Sequence, residues 1–431
     1  MKERIVTLSL VLFVILLLLD LYTFKGVRLL TEGVEKASVR TVISTLYWLF
    51  SISVYVGLAW ALLNYDQYRI PGQSHYFFTV NALVMMSLLS KLVFVLFHGM
   101  EDIGYFVTNI ISKAFASGKV SEGGDAMSRG KFLTYVGAGL AAVPFGAIAY
   151  GMVKGRYDFR VVRKNLTFKN LPKAFDGLKV VQISDIHIGS FPQEHPSVQK
   201  AVEMVNQLDA DVLLFTGDLV NNLADETTGW VEVLKQMKAK HGKYAILGNH
   251  DYGDYVPWTN TEDRRKNLDG VKQANRDMGF DLLLNENRIL EKDGEQIALI
   301  GVENWGRPPF PQYGDLRKAS EGTEQAPFRI LMSHDPSHWD GEVLDTNIDL
   351  TLSGHTHGMQ FGIEIPGVKW SPVKYKYPRW GGLYQEGKQF LYVNRGFGYH
   401  AIAGRIGMPP EITEITLKSE AEEKLLADQL S

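Results

Sequence analysis

Four apolar runs in the first third of the chain limit what it can become more than any other feature. Ile5–Phe24, Val39–Leu63, Phe77–Phe97 and Phe132–Val153 each approach the length of a bilayer-spanning helix, which is about 20 residues. Inside a bilayer only a helix or a closed barrel satisfies every backbone N–H and C=O. Lys2 and Arg4 ahead of the first run would suit a signal peptide, but no small-residue cleavage site follows it and three more runs come after. The expectation is an all-α transmembrane domain of about four helices over residues 1–157. The third run carries Asn81 and Lys91, and Lys91 either snorkels or faces the bundle. "FVTNIISKAF", from Phe106, reads as an amphipathic helix lying at the interface.

Four spans put both ends of the domain on one side. Lys2, Arg4, Arg69, Lys154, Arg156, Arg160, Arg163 and Lys164 then lie on that side, against Lys25, Arg28, Lys36, Arg40, Lys113, Lys119, Arg129 and Lys131 on the other. The counts tie, but the extreme N-terminus and the stretch after the fourth run are both basic, which places the C-terminal domain on the cytoplasmic face of a multi-pass membrane protein. One motif argues the other way: "SRGKFL", from Ser128, resembles a degenerate twin-arginine export signal, with Gly130 in place of the second arginine.

With 431 residues the chain is too long for one ordinary domain, and its net charge of −3 gives no basic field for nucleic acid. It has no cysteine, which removes disulfides, thiolate metal sites and a cysteine nucleophile. From about Asp158 the pattern changes. "LKVVQISD", "ADVLLFTGD" and "GKYAILGNHD" read as buried strands, and "QIALIGVEN", "FRILMSHDP", "IDLTLSGHTHG" and "QFLYVNRGFG" as further strands. "HPSVQKAVEMVNQL", "TTGWVEVLKQMKAK" and "NLDGVKQANRDMGF" have helical spacing. Early alternation followed by a run of strands predicts a layered α/β domain with a mixed sheet over residues 158–418. The stretch 419–431 reads as a polar tail, helical or frayed.

The strands end in polar clusters: Asp185-Ile186-His187, Gly217-Asp218, Gly248-Asn249-His250-Asp251, His334-Asp335 and Gly354-His355-Thr356-His357-Gly358. Ligands bind outside the carboxyl ends of strands in α/β sheets, so these loops are expected to converge. A lone Asp or His after a strand is usually a cap, but five such clusters in order are hard to assign to capping. Carboxylates, an amide and imidazoles without thiolates suit Mn, Fe, Zn or Co better than Ca or an iron–sulfur cluster.

The order "DIH", "GDLV", "GNHD", "SHDP", "GHTHG" resembles the calcineurin-like metallophosphoesterase superfamily, over essentially all of the chain from about Leu178 to Thr416. The flanks "LKVVQISDIHIG", "GVEN" and "YVNRGFG…PPEIT" resemble a narrower bacterial branch of membrane-associated phosphodiesterases that includes UDP-diacylglucosamine pyrophosphohydrolases. Where many members have a second glycine after Gly358, Met359 stands here, which puts the nearby loop shape in question. The resemblance implies a four-layer α/β/β/α sandwich and two divalent transition-metal ions, manganese first, with iron, zinc or cobalt as alternatives. One ion would take Asp185, His187 and His357, the other Asn249, His334 and His355, with Asp218 bridging. The pair would neutralise a phosphoryl group, activate a water and brace the displacement. His250 would act as general acid and Asp251 would orient its imidazole.

The implied function is a membrane-anchored hydrolase of a phosphodiester or pyrophosphate, with a lipid-linked substrate and the bilayer as partners. Two alternatives remain. One is a phosphatase or phosphodiesterase for soluble or protein substrates, merely localised to the membrane. The other is a metal-binding sensor or transport module without turnover, which would be expected to lose His250 or a ligand; neither is lost. "VKWSPVKYKYPRWGGLY" interleaves Lys374, Lys376 and Arg379 with aromatic rings. Those three cations are candidates for contact with an anionic lipid-linked substrate, against the plainer reading of a hairpin with buried rings and solvated lysines.

Overall fold

The structure is a computed structural model that describes residues 2–65, 67, 72–114 and 129–420. Chain contacts divide it into two compact units, Met1–Tyr68 with Thr79–Met152, and Arg69–Phe78 with Val153–Ser431.

Four long helices make the first unit: α1 (Lys2–Thr31), α2 (Ala37–Leu63), α3 (Ser74–Ala114) and α4 (Arg129–Val153). All four are long and apolar enough to cross a membrane. Phe106 to Ala114 continues α3 instead of forming a separate interfacial helix. One long helix keeps its internal hydrogen bonds unbroken, and no glycine or proline in that stretch interrupts it. Phe115 and Ser128 of the two quoted motifs lie outside the described residues. Lys91 faces the bundle: its ammonium is 2.6 Å from Asp20 Oδ1 and donates to Ser87 at 2.6 Å and Ser51 at 3.2 Å. Asp20 also accepts from Tyr47 at 2.7 Å, from Ser51 at 2.6 Å and from Tyr55.

The second unit begins with β1 (Arg160–Phe168), β2 (Lys179–Ile183), α5 (Pro196–Gln207), β3 (Val212–Phe215), α6 (Val231–Leu234), β4 (Lys243–Ala245), α7 (Thr261–Asp277) and β5 (Asp281–Leu282). It continues with β6 (Glu286–Lys292), β7 (Glu295–Gly301), α8 (Leu316–Ala319), β8 (Arg329–Met332), α9 (Ser337–Gly341) and β9 (Leu350–Ser353). The last strands are β10 (Ile363–Ile365), β11 (Val368–Trp370), β12 (Gly382–Glu386), β13 (Gln389–Val393) and β14 (Glu411–Ser419). Two six-stranded sheets result, ordered β1-β14-β2-β3-β4-β5 and β12-β13-β9-β8-β7-β6. Strands β2 to β5 are parallel, as are β7, β8, β9 and β13.

The sheets face each other across one apolar core. Val180, Val212, Leu214 and Ile246 come from the first sheet and its loops, and Ile297, Leu299, Ile330, Met332, Leu350 and Leu352 from the second. Burying each such side chain contributes about 1.5–3 kcal/mol, and helices cover the outer faces. α5 buries Val198, Ala201, Val202 and Val205, one stripe at helical spacing, and starts at Pro196, where a missing N–H costs nothing. α7 is capped by the Asn260 side chain, which accepts from the Asp263 N–H.

The helix expected over "TTGWVEVLKQMKAK" contracts to α6, because a glycine precedes it and the chain turns again after Leu234. Strands β1, β6, β12 and β14 were not anticipated. The first three carry charged residues on solvent-facing positions, which hides the period-two pattern. Ser419, expected in the polar tail, completes β14, and residues 421–431 lie outside the described residues.

Candidate metal centre

The parallel strands of both sheets deliver their carboxyl ends to one place. Asp185 and His187 follow β2, Asp218 follows β3, Asn249 follows β4, His334 follows β8, and His355 and His357 follow β9. The turns are tight. Asp185, His187, Asp218, His355 and His357 all have φ between 45° and 71°, a left-handed backbone that costs a non-glycine residue about 1–2 kcal/mol. Such strain survives only where the surroundings over-determine it, and it clusters at functional sites. Two glycines permit the close approach: a Cβ on Gly248 would overlap the Asp218 carboxylate, and one on Gly354 would overlap Ser184 and Asp185.

The ligand-type atoms fall into two groups. In the first, His187 Nε2 is 3.1 Å from His357 Nε2, and His357 Nε2 is 3.2 Å from Asp185 Oδ1. In the second, His355 Nδ1 is 2.8 Å from Asn249 Oδ1. The Asn249 amide is oriented by Tyr255, whose hydroxyl accepts its N–H at 2.9 Å, so the oxygen is turned toward His355. Asp218 lies between the groups, with Oδ2 3.5 Å from His187 Nε2 and 3.2 Å from His334 Nε2. His334 is aimed by its other nitrogen, which bonds the Thr216 carbonyl at 2.7 Å. The Asp185 carboxylate also accepts the His355 backbone N–H at 3.0 Å, which ties the two sheets' loops together. After His357, Gly358, Met359 and Gln360 have φ of 55°, 54° and 55°. Met359 therefore takes the left-handed conformation that a glycine would take there, with its side chain more than half exposed.

His250 takes its orientation from a different partner than the expected Asp251. The His250 Nδ1 is 2.7 Å from the Asn221 carbonyl, so the backbone orients this imidazole. Asp251 is fully buried and accepts the backbone N–H groups of Asp218 at 2.9 Å, Leu219 at 2.8 Å, Val220 at 3.3 Å and Gly248 at 2.9 Å. Its carboxylate thus braces the turn that carries Asp218 and does not hold the imidazole. A carboxylate beside four amide donors in a dry interior is better satisfied there than by a single imidazole. Burial, then the Asp218 charge, pushes the Asp251 carboxyl up to about 7 against those amides.

This donor set fits divalent cations. His334 Nε2 is buried without a hydrogen-bond partner among the described residues, although it lies 3.2 Å from Asp218 Oδ2 without hydrogen-bond alignment. Buried polar atoms of that kind need a reason. Burial, then the charge on His400, pulls His187 well below the usual histidine range, and burial lowers His355, so both imidazoles favour the neutral, ligating form. Burial opposes the charge on Asp218, but His334 and His250 hold its carboxyl well below the usual range. Burial also opposes a charged His334, yet Asp218 and Asp185 raise it to about 10.

Of the three candidate substrate cations, Lys376 and Arg379 line one cavity with Tyr377, whose hydroxyl is 2.9 Å from His355 Nε2. Lys374 does not line it; its ammonium lies over the exposed Tyr375 ring. Sequence reasoning missed His400, which gathers with His187 and His250. It follows β13 by several residues and lacks the short strand-to-histidine spacing of the other motifs. The buried guanidinium of Arg405 donates to the carbonyls of Arg395 at 2.8 Å and Gly396 at 3.0 Å and so pins that loop.

The comparisons with known proteins agree with this geometry. A family model described as "Calcineurin-like phosphoesterase" matches residues 178–359, and one described as "Probable Calcineurin-like phosphoesterase, transmembrane domain" matches residues 3–156. A transmembrane protein with metallophosphoesterase domain from Danio rerio is 31% identical, over 72% of this chain and 68% of its own. An uncharacterized metallophosphoesterase of Bacillus subtilis is 30% identical over 68% of this chain and 98% of its own. A UDP-2,3-diacylglucosamine pyrophosphatase of Chlamydia muridarum is 29% identical over 56% of this chain and 85% of its own. A four-helix apolar domain, an α/β sandwich with histidines and carboxylates gathered at its strand ends, and these relatives lead to one assignment: the chain belongs to the calcineurin-like phosphoesterases, a family of metal-dependent phosphoric ester hydrolases, and carries the family's transmembrane domain.

Proposed function

We propose that the chain hydrolyses a phosphodiester or pyrophosphate bond in a lipid-linked substrate, using two divalent transition-metal ions, manganese first. The observation that supports it best is Asp218, one carboxylate within 3.5 Å of His187 Nε2 and 3.2 Å of His334 Nε2. In this reading Asp185, His187 and His357 hold one ion, Asn249, His334 and His355 the other, and Asp218 both. When bound, such ions supply Lewis acidity toward the phosphoryl oxygens and acidify a water.

The chain's own residues do the rest. Tyr255 keeps the Asn249 oxygen turned inward, and Asp251 fixes the backbone that aims Asp218. His250 has Nδ1 committed to the Asn221 carbonyl, which leaves Nε2 to steady a phosphate oxygen and pass a proton to the leaving oxygen. The transmembrane domain and the pyrophosphatase relative support a lipid-linked substrate, because tethering raises the effective concentration of substrate in the same bilayer. The basic stretch Lys154–Lys164 after the fourth helix supports a cytoplasmic catalytic domain.

The test is hydrolysis by purified full-length protein with manganese, against a lipid-linked pyrophosphate in mixed micelles, a small soluble diester and a monoester. Preference for the lipid-linked substrate is expected. A preference for monoesters would overturn the substrate class, and full activity in metal-stripped protein would overturn the metal reading.

A further inference from the structure

Beside the second group of candidate ligands lies a cavity of about 290 Å³, with Trp305, Arg307, Pro308, Lys376, Tyr377 and Arg379 on its walls. It shares a wall with the centre. The Tyr377 hydroxyl is 2.9 Å from His355 Nε2, and the Phe310 ring stands edge-on to the His355 imidazole with centroids 4.8 Å apart. The Lys376 ammonium lies over that same Phe310 ring, 4.9 Å from its centroid.

The three cations are not equivalent. Arg379 is neutralised by Glu386 at 2.7 Å and Asp340 at 3.5 Å. Arg307 and Lys376 are exposed, and among the described residues neither has a carboxylate within ion-pair distance. The Arg307 side chain makes only a long contact, 3.5 Å, to the Lys376 carbonyl. The buried Asp335 carboxylate lies 3.5 Å from His355 Nε2 and accepts from the Tyr377 hydroxyl at 3.4 Å. Asp340 on the cavity wall faces Arg379, so the positive charge left without a carboxylate is that of the exposed Arg307 and Lys376. The cavity's shape is fixed as well: Trp305 stacks on the buried His338 with centroids 4.8 Å apart, and three prolines line the walls.

We infer that this cavity receives a second phosphate group of the same substrate, adjacent to the phosphorus under attack, and that Arg307 and Lys376 determine that specificity. The inference rests on the hydrolase reading above and narrows it from diesters in general to pyrophosphate diesters. A guanidinium fork and an ammonium suit a phosphate with two free oxygens, and a simple diester has nothing to place there.

Full-length protein with manganese is assayed on three substrates: bis(4-nitrophenyl) phosphate, which has one phosphate; a soluble nucleoside-diphosphate sugar; and a lipid-linked pyrophosphate diester in mixed micelles. The variants are Arg307→Gln, Lys376→Gln, their double, and Lys376→Glu. Both positions are exposed, so an unaltered melting temperature is the check on folding. For the double variant, kcat/KM on both pyrophosphate diesters is expected to fall about 10–100-fold, mostly through KM. The loss on bis(4-nitrophenyl) phosphate stays below about threefold, and Lys376→Glu falls further than Lys376→Gln on the pyrophosphates. Equal losses on all three substrates, or no loss on any, would overturn the inference. Wild-type protein that cleaves the simple diester but neither pyrophosphate would overturn it and leave the hydrolase reading standing. Wild-type protein inert on all three would sink that reading itself. A loss on only one of the two pyrophosphates shows whether a soluble or a lipid-borne phosphate is the one received.

Discussion

Each unit of this protein buries a polar cluster, and the two clusters are opposites. In the membrane unit, Asp20 takes donors from Tyr47, Ser51, Tyr55 and Lys91, and Lys91 spends its other protons on Ser87 and Ser51. Opposite charges are present in equal number and each finds its partner inside the protein. In the α/β unit, imidazole nitrogens face one another at 3.1 Å, and the buried Nε2 of His334 lacks a hydrogen-bond partner among the described residues. The first cluster is satisfied within the protein, and the second gathers ligand-type atoms that face one another. A buried ion pair is weak evidence of stabilisation but strong evidence against removing one partner. A buried, unfinished donor set is evidence of a ligand.

Four experiments test that contrast. The largest effect is expected at Asp218. Asp218→Asn should lower turnover at least about 10³-fold, since several kcal/mol of charge stabilisation pass through the shared carboxylate. Metal analysis should show fewer than the roughly two ions per chain expected of wild type. Unchanged metal content would mean that this carboxylate does not join the two groups. Next, His250→Ala should cost about 10²–10⁴-fold in turnover while metal content holds. Leaving groups that need no proton should recover much of it, and loss of metal would show that His250 is itself a ligand.

In the membrane unit, Asp20→Ala should destabilise by about 3–5 kcal/mol, because it leaves the Lys91 charge buried alone. Thermal unfolding in detergent reads this, and the double change Asp20→Leu with Lys91→Met should recover most of it. If the double variant is no better than the single one, the pair is not the closed unit described here. The smallest effect is expected at Met359. Met359→Val should cost about 1–2 kcal/mol, because a β-branched residue is poorly tolerated at positive φ, whereas Met359→Gly should cost almost nothing. Equal melting temperatures for the two variants would mean that this turn is not held in the left-handed conformation.

The sequence carried the strand-end motifs because each is local: a buried β run, then a polar residue within a few positions, often after glycine. It also carried the membrane helices, whose signal is length and composition. What stayed hidden depends on partners distant in the chain. Asp20 and Lys91 are 71 positions apart in separate apolar runs. The Asp251 carboxylate follows His250 directly, yet it reaches across to amides more than 30 positions away, at Asp218 and Leu219. Tyr377 reaches His355 from 22 positions away, and Arg307 joins it in the adjoining cavity from a separate loop. The strands that escaped notice are mostly those with charged, solvent-facing residues, where burial does not impose alternation.

The pairing of β1 sets a timetable for biosynthesis. Its partner in the sheet is β14, and the strand register joins residues 251 positions apart. At ribosomal rates of about 5–20 residues per second, β1 waits roughly 10–50 s for residues 251 positions downstream to emerge. Until then the nascent sheet presents the open edges of both β1 and β2, since β14 lies between them. The late strand also supplies Glu411, which accepts from Tyr392 at 2.6 Å and from Arg395 at 2.6 Å, at the base of the loop that carries His400. The nascent chain thus has its apolar helices and all the motif histidines before it has the strand that supplies Glu411 to the base of the His400 loop.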